Sequence, residues 1–136
     1  MKLQYEIQGG DFSAAGRASS EVKKTLKQLN ISPQVIRKIS VALYEAEVNV
    51  VAHAFKGDMK VDINPDRIFV KIEDEGPGIK DIAKAMEEGF STATDEVRQM
   101  GFGAGMGLPN IKRNTDEMRL TSVMGEGTTL EMMVKF

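Results

Sequence analysis

Residues 33–55 read PQVIRKISVALYEAEVNVVAHAF, and this stretch decides the fold. Ser32 and Pro33 suit a helix start, because the serine hydroxyl can accept a first-turn amide and proline needs no hydrogen bond at the first position. Val35, Ile39, Leu43, Ala46 and Val50 follow helical spacing, while Val41, Tyr44, Val48, Val51 and Phe55 cover a second side. A helix that is apolar on two sides is central to its domain. Yet Glu45, Asn49 and His53 recur every four residues and draw a polar seam along it. The seam fits a solvated helix edge. It also fits a site in which Asn49 offers a neutral oxygen to a hard cation such as Mg²⁺ and Glu45 orients or deprotonates a nucleophile. Glu47 points elsewhere and reads as structural, and His53 reads as a helix-end histidine with a satisfied hydrogen bond.

Outward from this helix, residues 3–8 alternate as a half-buried strand, Gly9-Gly10 breaks it, and residues 12–29 have helical character. Met59-Val61-Ile63 and Ile68-Val70-Ile72 have period two and are joined through Asn64-Pro65-Asp66, the pattern of a β-hairpin. A turn at Asp74-Glu75-Gly76-Pro77-Gly78 leads to a short helix over 79–88. Residues 91–106 lack periodicity and read as a mobile loop, a lid candidate. A helix over 108–116 precedes a last hairpin, 118–124 and 128–136, turned by Gly125-Glu126-Gly127. Strands at both ends with helices between predict an α/β (α+β) two-layer sandwich. Its sheet is expected to be mixed, largely antiparallel, and covered on one face by helices.

The 136 residues are expected to form a single domain, 1–136. Eighteen basic and 20 acidic residues are dispersed along the chain, without the basic stripe of a nucleic-acid binder. No cysteine is present, which excludes disulfides and thiolate metal sites, and a single histidine cannot build a His cluster. No apolar run approaches the roughly 18 residues of a membrane span, so a cytoplasmic protein is expected.

Two further segments carry candidate chemistry. Asp74 ends a strand, where its carboxylate could accept from an exocyclic amine such as adenine's while Gly76 and Gly78 let backbone approach the ring. An ordinary Asp-Gly turn explains the same residues equally well. Gly101-Phe102-Gly103-Ala104-Gly105-Met106-Gly107 directly precedes a helix whose first turn holds Leu108-Pro109. Glycine amides and the positive helix end could make a phosphate cradle there, and a flexible linker is the alternative reading of the same glycines. No Gly-Lys-Ser/Thr follows, so the loop is not a Walker A motif, and no βαβ unit frames a dinucleotide fingerprint.

In order, Glu45-x-x-x-Asn49, Asp74-x-Gly76-x-Gly78, Gly105-x-Gly107 and Gly125-x-Gly127-Thr128 resemble the N, G1, G2 and closing boxes of the GHKL (Bergerat-fold) ATPase/kinase superfamily. The stretch from Asp74 through Thr129 looks most like the anti-sigma-factor serine/threonine kinases. The resemblance implies ATP and Mg²⁺ as cofactors, Asn49 as the metal ligand, Glu45 as the base and Asp74 as the adenine reader. It implies that Gly76, Gly78, Gly103, Gly105, Met106 and Gly107 line the nucleotide and lid, that Thr128 lies near the adenine, and that Arg98 reaches the terminal phosphate. The implied partners are a sigma factor and a small STAS-type anti-anti-sigma protein phosphorylated on serine, with the kinase itself a homodimer. A non-catalytic ATP-gated binding module would use the same residues. The catalytic half of a histidine kinase and a gyrase-like or chaperone-like ATPase fit less well. The first lacks a helix pair bearing a phosphoacceptor histidine, and the second needs a transducer domain after the last strand.

Overall fold

A computed structural model describes residues 1–87 and 107–136. The central helix forms where its two apolar sides require it: α2 spans Pro33–His53, and the Ser32 hydroxyl accepts the Val35 amide at its start. It ends two residues short of the expected Phe55. Ala54 is already extended, and the Phe55 amide donates to the Glu75 carbonyl at 2.8 Å. That bond turns the chain directly into the sheet.

Five strands form one sheet: β1 (Lys2–Gln8), β2 (Lys56–Ile63), β3 (Arg67–Glu75), β4 (Glu117–Val123) and β5 (Gly127–Lys135), in the order β1-β2-β3-β5-β4. All four pairings are antiparallel, so the sheet is less mixed than expected. Two of the pairings, β2–β3 and β4–β5, are hairpins, whose short turns can only return a strand antiparallel, while β1–β2 and β3–β5 are joined through helices. In the β2–β3 turn the Asn64 side chain accepts both the Asp66 and Arg67 amides at 2.9 Å, an Asx turn that holds the register.

Period two sends Met59, Val61, Ile63, Ile68, Val70, Ile72, Leu130, Met132 and Val134 to one face, where they pack under the helices. From above, α2 contributes Ile36, Ile39, Leu43, Ala46 and Val50 to the same core. Full burial of a Leu43 or Ile39 side chain stabilises the fold by about 2 kcal/mol each. Together these residues build the two-layer α/β sandwich, with helices on one face of the sheet.

The expected helix over 12–29 is two pieces: a 3₁₀ turn at Phe12–Ala14 and α1 at Arg17–Gln28. Gly16 separates them at φ +93°, a left-handed conformation that glycine adopts without cost. Since Gly16 has no capping side chain, α2 supplies one. Glu47, 2% exposed, accepts the amides of Gly16, Ala18 and Ser19 at 3.0, 3.3 and 2.9 Å and the Ser19 hydroxyl at 2.6 Å. The structural reading of Glu47 is correct, and its carboxylate also complements the α1 dipole.

Beyond the β2–β3 hairpin, the short helix over 79–88 contracts to α3, Ile82–Ala85, because Asp81 caps it by accepting the Lys84 amide. The helix expected over 108–116 is α4, Gly107–Arg113. The lid candidate, residues 91–106, lies outside the described residues, and with it Arg98, Gly103, Gly105 and Met106. Among the described residues no helix is long and apolar enough to cross a membrane.

Candidate active site

Glu45 and Asn49 stand one turn apart on α2, and the start of α4 is set against them. An ideal Cβ placed on Gly107 would lie 3.1 Å from Asn49 Oδ1 and 3.3 Å from Glu45 Oε2. A side chain there would push both groups aside by a few tenths of an ångström, and glycine leaves the space open. The two oxygen donors at its rim, one amide and one carboxylate, suit a hard cation that shares its shell with phosphates, because Mg²⁺ takes few protein oxygens. The residues present therefore fit Mg²⁺ carried by a nucleotide.

Sequence reasoning missed Asn110, one turn into α4. Its Nδ2 donates to Glu45 Oε1 at 3.4 Å, and its Oδ1 accepts from Arg113 Nη2 at 2.6 Å. These partners settle the amide's orientation, since a flipped amide would turn oxygen toward carboxylate and N–H toward guanidinium. Asn110 thus anchors one oxygen of Glu45 while the other faces Gly107. No motif signals this; it depends on how α4 docks on α2.

The second half of the site lies at the C-terminal end of α2, about 12 Å along the helix axis from Glu45 at 1.5 Å per residue. Gly76 packs there, and a Cβ on it would sit 3.1 Å from Ala54 Cα and 3.5 Å from the His53 carbonyl. Gly78 adopts φ +80°, and a Cβ on it would meet the Val123 carbonyl at 2.7 Å. Both glycines are therefore needed to seat the turn between α2 and the β4–β5 hairpin. His53 closes α2, and its burial pushes the imidazole pKa down.

Asp74 is the last residue of β3 on the helix-facing side, half-buried beside the turn. Its Oδ1 accepts the Thr128 amide at 2.9 Å. Burial raises its pKa, and the Thr128 bond opposes that rise. Gly127, at φ +154°, lets β5 pass Asp74: a Cβ would come within 2.0 Å of the Asp74 carbonyl. Thr128 pairs across the hairpin with Ser122, whose hydroxyl accepts the Ile79 amide at 2.7 Å. Ser122 was also missed, although parity carries its signal: with Met118 and Leu120 it shares the helix-facing side of β4.

The structure therefore assembles Glu45, Asn49 and Gly107 at one end and Asp74, Gly76, Gly78 and Thr128 at the other, both seated on α2. A cavity of about 450 Å³ opens elsewhere, between the α1 N-terminus and α2, and contains none of these residues.

Comparison with known proteins agrees with this fold. Residues 11–134 match the family described as histidine kinase-like ATPase domain. The serine/threonine-protein kinase RsbT of Bacillus subtilis (strain 168) is 37% identical over 113 residues, which cover 80% of this chain and 79% of the relative. An anti-sigma F factor of Thermoanaerobacter sp. (strain X514) is 34% identical over 110 residues, 77% of this chain and 73% of the relative. A chain of the SiaB-SiaC complex from Pseudomonas aeruginosa shares the fold at a TM-score of 0.58 and 11% identity, over 98% of this chain and 89% of that one. Helices layered on one face of an antiparallel sheet, with the site seated on the central helix, define a Bergerat-type ATP-using domain. The chain belongs to the histidine kinase-like ATPase domain family, in its GHKL anti-sigma-factor kinase branch.

Proposed function

We propose that this protein is an Mg-ATP-dependent serine/threonine kinase and anti-sigma regulatory factor, transferring phosphate to a serine of a small STAS-type anti-anti-sigma protein and holding a sigma factor. The observation that carries the reading is the apposition of Glu45 and Asn49 to Gly107, which leaves room for phosphates beside a base and a metal ligand. The names of the relatives support the direction: one is a serine/threonine-protein kinase and one an anti-sigma F factor.

Phosphoryl transfer asks a protein mainly for positioning and charge neutralisation. Mg²⁺ bound with ATP supplies the neutralising charge on the phosphates. Asn49 Oδ1 would hold the metal, and Glu45, anchored by Asn110, accepts the proton of the attacking serine hydroxyl. Asp74 accepts the exocyclic amine of adenine, and Gly76 and Gly78 bring backbone close to the base. Incubation with γ-labelled ATP and lysate from the source organism tests the reading. One small protein gaining labelled phosphoserine supports it, whereas ATP binding without label leaves a nucleotide-gated binding module instead.

A further inference from the structure

We propose that Asn110 is a positioning residue for phosphoryl transfer: oriented by Arg113, its amide fixes the Glu45 carboxylate so that Oε2 alone is presented to the attacking hydroxyl. The proposal rests on the reading of Glu45 as the base.

Glu45 is half-buried, and among the described residues no cation pairs with it. The terminal torsion of a glutamate is broad and soft, so a carboxylate without a partner turns freely and exchanges its two oxygens. Here the oxygens differ. Asn110 Nδ2 stands 3.4 Å from Oε1, while Oε2 lies 3.3 Å from the Cβ position of Gly107, on the side left open for phosphates. Gly107 and Asn110 are one turn apart on α4, so a single docked helix shapes that space and holds the base beside it.

The amide is itself held firmly. Arg113 Nη2 donates to Asn110 Oδ1 at 2.6 Å, shorter than the roughly 2.9 Å of an ordinary N–H···O bond, which leaves the Asn110 N–H groups facing Glu45. The Asn110 carbonyl accepts the Asn114 side-chain amide at 2.8 Å, and the fully buried Ile111 seats the helix in the core. The 3.4 Å contact is the weak member of this chain, so the amide takes its direction from Arg113 and α4 and imposes it on the carboxylate. A long bond from a neutral donor orients Glu45 and leaves Oε2 its lone pairs, whereas an ion pair at this position would occupy the carboxylate. In the step served, the serine hydroxyl proton passes to Glu45 Oε2 as the bond from serine oxygen to the γ-phosphorus forms. The bond from that phosphorus to the β–γ bridging oxygen breaks, and its electron pair leaves with ADP.

Transfer kinetics test the proposal, with γ-labelled ATP, the full chain and, as acceptor, the small lysate protein that the full chain labels on serine. Calorimetric titration of Mg-ATP and thermal unfolding run alongside. Asn110→Leu, close in size but without a donor, should lower kcat about tenfold while ATP affinity and KM for the acceptor stay within about threefold. Asn110→Gln, which keeps a donor amide, should recover most of the loss. In a Glu45→Gln background the Asn110→Leu change should cost less than about twofold, because Asn110 acts only through Glu45. An unchanged kcat in Asn110→Leu, a parallel fall in ATP affinity, or a full second loss in the Glu45→Gln background overturns the proposal, since a structural role alone would give the last two. Should Asn110→Leu not fold, Arg113→Met, at an exposed position, carries the test. A fall in kcat of about threefold with ATP affinity kept supports the proposal, and an unchanged kcat overturns it. Absence of any labelled acceptor with the parent, or transfer at the parent rate by Glu45→Gln, defeats the reading of Glu45 and the proposal with it. A slow Glu45→Gln beside an unaltered Asn110→Leu removes the role of Asn110 alone.

Discussion

The Thr128 amide donates to Asp74 Oδ1 at 2.9 Å, so the last polar residue of β3 is held by the strand paired beside it. The carboxylate is nonetheless costly to the fold, because burial raises its pKa more than the Thr128 bond lowers it.

A stability–function split follows for Asp74→Asn. The amide oxygen can still accept from Thr128 and carries no charge to desolvate, so the melting temperature without nucleotide should not fall. Affinity for ATP should drop about 100-fold through loss of a charged acceptor. Calorimetry and thermal unfolding on one preparation check both halves.

Glu47 predicts the reverse pattern. Its buried carboxylate holds three amides and one hydroxyl of α1, so Glu47→Ala leaves several donors unpaired at once. Unfolding free energy should fall by about 3 kcal/mol, and the melting temperature by about 10 °C. A loss under about 2 °C in circular dichroism would contradict the capping role.

The single histidine predicts acid sensitivity. Burial lowers the His53 pKa, so the folded state favours the neutral ring while the unfolded ring titrates near its ordinary 6.5. Below that pH the unfolded chain takes up a proton that the folded chain resists, so stability present above about 6.5 is lost as pH falls. The parent should therefore melt earlier at pH 5.5 than at 7.5, and His53→Gln should narrow the difference. Asp74 acts with the opposite sign in a lower window: its raised carboxyl pKa means that stability falls as pH rises through the carboxylate range.

Much of this molecule is legible before any coordinates. The two apolar sides of residues 33–55, the Asn64-Pro65-Asp66 hairpin and the parity of Asp74 with Ile68, Val70 and Ile72 all follow from local periodicity, and the structure repeats them. What escaped depends on contacts distant in sequence. The break at Gly16 is held by Glu47, 31 residues away, and the bond from Asn110 to Glu45 spans 65. Neither leaves a periodic trace, because each pairs one side chain with another element's docking position. Ser122 differs, as its face was readable but its partners, Ile79 and Thr128, come from the folded turns.

Phosphate transfer by a Glu45→Gln variant tests the central claim most directly. With γ-labelled ATP and the serine-bearing acceptor, the account predicts that the variant binds ATP within about threefold of the parent. Its transfer rate should be slower by a factor on the order of 100 or more. Transfer at the parent rate would contradict the assignment of Glu45 as the base and, with it, the mechanism built on the α2 seam.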